Sequence, residues 1–167
     1  MLNSSLDFVP FLLRAKKATY ASGTAETQAP SSRPASHDLT YAEDELSYID
    51  SYLGGYAFLG EEALWKRDEA GEKMPLWGMN YYGTMVGLDT TPAGLPAVPD
   101  GFGDFLKLAL RHVPAHAPYR GPAEFAEGRY RYTCHWEGDL DLFHGEESIA
   151  LDDQVIYRLY FHGGSIL

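Results

Sequence analysis

Two stretches of helical periodicity divide the chain into two halves. Apolar residues recur every three to four positions over 6–20 and again over 102–112, which predicts two amphipathic helices. After each helix the apolar positions alternate with a period of two, which is typical of strands with one buried face. The strand pattern covers 37–43, 45–53, 56–65 and 76–82 in the first half, and 123–125, 129–136, 140–149 and 155–161 in the second.

Three sequence blocks occur in the same order in both halves, which indicates an internal repeat. We therefore predict one domain over 1–167, with a first repeat at 4–86, a connector at 87–101 and a second repeat at 102–167. The paired blocks are Phe11–Ala15 with Phe105–Ala109, Phe58–Leu64 with Phe143–Ile149, and Trp77–Gly83 with Tyr157–Gly163.

The predicted fold class is α+β, with each repeat formed by one helix and four antiparallel strands. Two helices cannot cover both faces of so large a sheet. We therefore expect a strongly curved sheet of about eight strands with the helices on one side. The opposite, concave side and the groove between the two repeats are then the expected places for a site. Residues 21–35, rich in Ser, Gly and Pro, are predicted to form a long loop.

Composition narrows the classes of function. The chain has 167 residues, 45% of them hydrophobic, which is enough for one domain with its own core. Its net charge of −11 disfavours nucleic acid and anionic membranes as partners. No apolar run approaches the ~20 residues that cross a bilayer, and the first residues lack a signal-peptide pattern. The single cysteine, Cys134, excludes an internal disulfide. It alternates in phase with Tyr132 and Trp136, so we expect it in the core. A cytoplasmic location is the default expectation.

An aspartate stands between two tyrosines on one face of the second predicted strand. Strand alternation places Asp50 with Tyr48 and Tyr52 on an otherwise apolar row. If this row is buried, Asp50 is a candidate ligand anchor or a general base with a raised pKa. The alternative is a solvated edge position at which Asp50 accepts hydrogen bonds from the phenols.

The Gly-Glu-Glu sequence occurs once in each half. Neighbouring strand residues point to opposite faces, so Glu61 and Glu62 can line one pocket only if Gly60 forms a bulge. We therefore consider Glu62 and Glu146 as candidate site residues. A structural role is the alternative, because a catalytic group seldom needs to be duplicated.

Two arginines precede the first strand of their respective halves. Arg33 and Arg120 are each suited to bind a carboxylate or phosphate with two hydrogen bonds. Alternatively, each pairs with Glu61 or Glu146 and fixes a loop to the sheet. His37 lies close to Arg33 in sequence and is a candidate base or hydrogen-bond donor.

No metal or cofactor is predicted. The six histidines show neither His-x-His nor His-Glu-x-x-His spacing, so the sequence has no metal-binding motif. It also lacks a phosphate-binding loop, a dinucleotide fingerprint and a nucleophile elbow.

Six segments with specific combinations of aromatic, glycine and charged residues are Phe11–Ala21, Ser32–Leu39, Tyr48–Gly55, Pro75–Gly83, Pro118–Pro122 and Tyr160–Gly164. Together they resemble a bacterial family, number 5680 in the domain-of-unknown-function series. The resemblance implies a domain that occurs alone or as the C-terminal part of helix-turn-helix regulators. It implies no established activity and no catalytic residues. The chain lacks a DNA-reading helix pair, so it resembles the standalone form.

Three functions remain open from the sequence. The leading hypothesis is a sensor-like domain that binds a small molecule in an aromatic-lined pocket. The alternatives are a cofactor-independent acid–base enzyme, with Asp50, Glu62 or His37 as the catalytic group, and an acidic interaction or immunity-type protein. Homodimerisation is left open. The predicted ligand-binding residues are Arg33, His37, Tyr48, Asp50, Tyr52, Glu62, Trp65, Trp77, Asn80, Tyr82, Arg120, Glu146 and His162.

Overall fold

The computed structural model describes residues 8–21 and 28–166. Within them, two helices accompany nine strands, so the predicted α+β class is confirmed. Helix α1 spans Val9–Ala18 and α2 spans Phe102–Leu110. The strands are β1 (Gln28–Ala29), β2 (His37–Glu43), β3 (Leu46–Gly54), β4 (Ala57–Arg67), β5 (Lys73–Met85), β6 (Glu124–Glu127), β7 (Tyr130–Gly138), β8 (Leu142–Leu151) and β9 (Gln154–Ser165).

All the strands form one antiparallel sheet in the order β1-β2-β3-β4-β5-β9-β8-β7-β6. The sheet is open, with β1 and β6 at its two edges. The last strand of each half, β5 and β9, pair with each other at the centre. Strand β1 is an addition to the predicted set, since it forms inside the stretch expected to be a loop.

Turn chemistry explains where the strands end. The tight turn between β8 and β9 contains Asp152 and Asp153, both with positive φ. Two-residue hairpins of this kind need left-handed backbone, which aspartate tolerates. The turn between β2 and β3 likewise has Asp44 at φ 50°, at the position between the two predicted strands. Strands β4 and β5 extend to Arg67 and from Lys73, beyond the predicted strand bounds of 65 and 76, so the turn between them is short.

Both helices contact the same face of the sheet. Helix α1 contacts β2 and β3, and its buried side includes Phe11, Leu12 and Lys16. Helix α2 places Phe102 against Tyr157 and also contacts β6 and β7. The start of the first predicted helix lies outside the described residues. Neither of the described helices has the length and apolar character needed to cross a membrane.

The core lies between the helices and the sheet. Its centre is aromatic: the ring of Phe143 lies 5.6 Å from Trp77 and 4.0 Å from Tyr119. The opposite face of the sheet is open and carries exposed aromatic and aliphatic side chains. Among them, Leu59, Tyr82 and Tyr160 are 48%, 48% and 54% exposed.

Gly60 forms no bulge, so the condition under which Glu61 and Glu62 could line one pocket is not met. Gly60 pairs in regular register with Tyr81, and the irregularity in β4 falls between Leu64 and Trp65. Glycine serves a different purpose here, because a Cβ at position 60 would come within 2.3 Å of the Tyr81 hydroxyl oxygen. The missing side chain makes room for the Tyr81 ring to lie across the strand.

Candidate functional site

A cavity of about 590 Å³ opens between the helices and the first half of the sheet. This is the helix-covered face, whereas the sequence led us to expect a site on the opposite side of the sheet. The two short helices leave part of that face uncovered, and the gap between them becomes the cavity. Its walls are Thr19, Tyr20, Gln28, His37, Leu39, Asp50, Tyr52, Gly54, Gly55, Phe58, Tyr81, Gly103, Leu106, Lys107, Leu110 and Arg120.

Asp50 is the acidic residue in this wall. It lies in β3, is only 3% exposed, and accepts a 2.5 Å hydrogen bond at Oδ1 from the Tyr81 hydroxyl. Its Oδ2 makes no hydrogen bond to any residue that the structure describes. Burial raises the pKa of Asp50 to about 7, and the negative charge of Glu62 adds to this effect. The solvated-edge interpretation of Asp50 is therefore wrong.

Behind Asp50, Lys16 and Glu62 form a fully buried ion pair. The Lys16 ammonium donates to Glu62 Oε2 and, at 2.8 Å, to the carbonyl oxygen of Tyr119. Burial lowers the pKa of Lys16, and the charge of Glu62 partly opposes this. Glu62 Oε1 has no hydrogen-bond partner within the described part of the chain and lies 3.9 Å from Arg120 Nη1.

Arg120 forms a second buried ion pair, with Glu147 of β8. Its Nε and Nη2 donate to the two carboxylate oxygens at 3.1 and 2.8 Å. The hydroxyls of Tyr132 and Tyr157 donate to the same carboxylate at 2.6 and 2.9 Å. Burial alone would lower the pKa of Arg120, but the charge of Glu147 outweighs it and the pKa is raised well above its usual value. Glu147 is therefore fully partnered.

The two pairs leave one carboxyl group without a cation. Lys16 neutralises Glu62 and Arg120 neutralises Glu147, whereas the one described side chain that donates to Asp50 is the Tyr81 hydroxyl. Asp50 is also the one of these three acids that lines the cavity. Within the described residues, the site thus presents a buried, unpaired carboxyl group to an open volume.

Seven predicted site residues lie on the helix-covered face. His37, Asp50, Tyr52 and Arg120 line the cavity, and the His37 ring stacks on Tyr52 with centroids 4.9 Å apart. The other three are buried around it and do not reach the cavity surface; they are Tyr48, Glu62 and Trp77.

The remaining predicted site residues do not line the cavity. Arg33 is exposed and donates to the Ser51 hydroxyl at 2.6 Å on the opposite face, so its environment differs from that of Arg120. Trp65 is half-buried beside the β-bulge. Strand alternation places four others on the exposed face, outside the cavity: Asn80, Tyr82, Glu146 and His162. Neither arginine pairs with Glu61 or Glu146.

Three central residues were missed from the sequence, although each has a local signal. Lys16 follows Leu12 by four positions, which places it on the buried stripe of α1. Tyr81 is in phase with the buried Trp77, unlike Asn80 and Tyr82. Glu147, not Glu146, lies on the same strand face as the buried Phe143.

No group of three or more His, Cys, Asp or Glu side chains in 8–21 and 28–166 is arranged to hold a metal ion. The single thiol, Cys134, is buried as predicted. Burial raises its pKa to about 12, so it is an unreactive core residue.

The fold and the cavity define an α+β domain with a buried charge network beneath an open antiparallel sheet. The chain belongs to the family described as Domain of unknown function (DUF5680), whose model matches residues 50–166. The match includes Asp50, Arg120 and both buried glutamates, whereas Lys16 precedes it. No curated protein and no solved structure matches the chain.

Proposed function

We propose that this protein is a small-molecule-binding domain and that the cavity beside Asp50 is its ligand site. One observation carries the proposal: a cavity of about 590 Å³ has Asp50, Tyr81 and Arg120, all buried polar residues, in a largely apolar wall. Ligand sites typically have this size and a few convergent polar groups within apolar surroundings. In this proposal Asp50 keeps the anchoring role expected from the sequence, and Tyr52 keeps its place as an aromatic wall.

The internal repeat forms part of this proposal, and cross-strand pairing supports it. In the first half Phe58 faces Gly83, and Gly60 faces Tyr81. In the second half the same pattern recurs, with Phe143 facing Gly163 and Gly145 facing Phe161. We propose that the two halves descend from one helix-plus-four-strand unit.

The ligand proposal is tested by filling the cavity. Leu106 of α2 lines it, so Leu106→Trp should occupy part of its volume. Leu108 lies on the same helix outside the cavity, and Leu108→Trp is the matched control. A thermal-shift screen of small metabolites should give compounds that stabilise the unmodified protein and Leu108→Trp, but stabilise Leu106→Trp less. Absence of any stabilising compound, or equal shifts in all three proteins, would refute the proposal.

An acid–base enzyme is the second candidate, because the pKa of Asp50 is raised to about 7, where a carboxyl group can accept and donate protons near neutral pH. Tyr81, at 2.5 Å, would stabilise the ionised form during transfer. This candidate predicts that a cavity ligand with an acidic C–H bond exchanges that proton for solvent deuterium. NMR should detect the exchange with the unmodified protein and not with Asp50→Asn; equal exchange rates would exclude Asp50 as the base.

A further inference from the structure

The balance of charge around the cavity indicates which class of ligand it accepts. Two cations, Lys16 and Arg120, face three carboxyl groups in the buried network. Each cation already has its own glutamate, so an ionised Asp50 has no positive charge to balance its own. Asp50 lies in the cavity wall, and its Oδ2 has no hydrogen bond among the described residues.

The rest of the wall suits a positive charge on a flat body. Tyr20, Tyr52, Phe58 and Tyr81 contribute four aromatic rings. Aromatic faces attract cations, most strongly where water is excluded. Leucine side chains complete the apolar wall.

Charges at longer range also favour a cation. The net charge of −11 attracts cations and repels anions at a distance. The one lysine in the wall, Lys107, is exposed, so solvent and salt screen its charge. Among the described residues Arg120 Nη1 has no hydrogen-bond partner, and this nitrogen already lies 3.9 Å from Glu62 Oε1. An anion at Arg120 would therefore be added beside two buried glutamates.

We infer that the ligand is an organic cation, an amine or amidine on a flat apolar body, and that its charge pairs with Asp50. This inference rests on the proposed binding function. The cationic nitrogen would donate to Asp50 Oδ2, while Tyr81 continues to donate to Oδ1. The apolar body would lie between the tyrosine rings and the leucines of α2.

The test uses the full chain and sets of probes that share one ring system and differ in charge. One set is tryptamine, tryptophol and indole-3-propionate, and similar sets on phenyl and naphthyl rings vary the shape. Melting temperatures and affinities are measured with the unmodified protein, Asp50→Asn and Asp38→Asn. Asp38 is the matched control because it is also 3% exposed but does not line the cavity.

We expect stabilising shifts to be concentrated among the cations. Asp50→Asn should reduce the affinity for the tightest-binding cation by roughly thirty-fold or more, as expected when a buried charge loses its partner. Asp38→Asn should leave the affinity unchanged. If Asp50→Asn does not fold, Leu106→Trp takes its place and should also reduce the shift.

A quaternary ammonium probe adds a readout that a merely structural role of Asp50 would not change. Its own charge is independent of pH, so its affinity should fall as the pH decreases below about 7 and Asp50 becomes protonated. The charged or titratable groups that surround Asp50 are Lys16 and Tyr20 on the α1 side, His37 on β2, Tyr48 and Tyr52 on β3, Glu62 on β4, Tyr81 on β5 and Arg120 before β6.

The outcomes distinguish this inference from the binding function on which it rests. If neutral or anionic probes bind as well as cations, or if cations bind Asp50→Asn unchanged, the cationic ligand is excluded while a binding site remains. If no probe and no metabolite binds, both proposals fail.

Discussion

Two aspartates on neighbouring strands are equally buried, but their pKa values are shifted in opposite directions. Asp38 of β2 and Asp50 of β3 are each 3% exposed, and they lie on opposite faces of the sheet. Asp38 accepts hydrogen bonds from the Ser32 amide at 2.9 Å and the Ser51 hydroxyl at 2.7 Å. From the described part of the chain, Asp50 accepts one hydrogen bond, donated by Tyr81.

The difference in partners decides the difference in pKa. Burial pushes the pKa of Asp38 upward, but hydrogen bonds from Ser32, Ser51 and Ser36 outweigh it and hold the pKa well below its usual value. At Asp50, burial and the charge of Glu62 outweigh a single hydroxyl donor. Asp38 is thus a structural residue that fixes a loop to the sheet. Asp50 lines a cavity, and its second carboxylate oxygen has no hydrogen-bond partner among the described residues.

The largest loss of stability should come from removing a buried cation on the Asp50 face of the sheet. Arg120→Met leaves Glu147 buried without its ion-pair partner, which we expect to cost about 3–5 kcal/mol of unfolding free energy. The matched change on the Asp38 side is Arg33→Met, which removes an exposed arginine and should cost less than about 1 kcal/mol. Urea denaturation measures both, and equal costs would contradict the proposed difference between the two sides.

Asp50→Asn should change how stability depends on pH. The folded pKa of Asp50 is about 7 and its unfolded pKa is about 4, so the folded state holds the extra proton between these values. Stability of the unmodified protein should therefore decrease as the pH rises from about 4 to about 7, by up to ~4 kcal/mol from this group.

Asparagine keeps an acceptor for Tyr81 and does not titrate. Relative to the unmodified protein, the variant should thus become progressively more stable towards pH 8. Urea midpoints recorded from pH 4.5 to pH 8 provide the measurement, and parallel profiles for the two proteins would show that Asp50 has an ordinary pKa.

Asp38→Asn should have a smaller effect in a different pH range. A lowered folded pKa stabilises the protein above about pH 4, and this stabilisation is lost as the pH falls further. We expect a loss of about 2 kcal/mol at pH 7, since hydrogen bonds to a charged group are weakened. The gap between the variant and the unmodified protein should narrow at pH 3; a constant gap would refute the assignment of a low pKa.

Gly60→Ala should have the smallest effect on stability. The new methyl group would collide with the Tyr81 ring, which can tilt towards the cavity, so we expect a cost of about 1–2 kcal/mol. The tilt should also lengthen the bond to Asp50 and reduce cation affinity. Gly78→Ala of β5 is the control, because a Cβ at that position has no neighbour closer than 3.4 Å and Gly78 does not line the cavity. Similar stability and affinity in both variants would show that Gly60 does not position Tyr81.

Strand periodicity predicted much of the fold and part of the site. The alternation of Tyr48, Asp50 and Tyr52 correctly predicted their common face, because side chains in a strand alternate strictly. The same rule, applied from Trp77 and from Phe143, would have selected Tyr81 and Glu147. Tyr82 and Glu146, the residues selected from the sequence, lie on the opposite face of the sheet.

The position of the cavity could not be predicted in this way. It depends on how far each helix extends over the sheet and on a loop that carries Arg120 to the end of α1. Contacts of that kind join residues about a hundred positions apart, such as Lys16 and the Tyr119 carbonyl, and no local pattern encodes them. The ion-pair partners of Glu62 and Glu147 were unpredictable for the same reason.

The most direct single measurement is a carbon-13 NMR titration of the aspartate carboxyl groups in ligand-free protein. We predict that Asp50 titrates with a midpoint near 7 and that Asp38 remains ionised well below pH 4. A midpoint near 4 for Asp50 would contradict the central claim that an unpaired, buried acid faces the cavity.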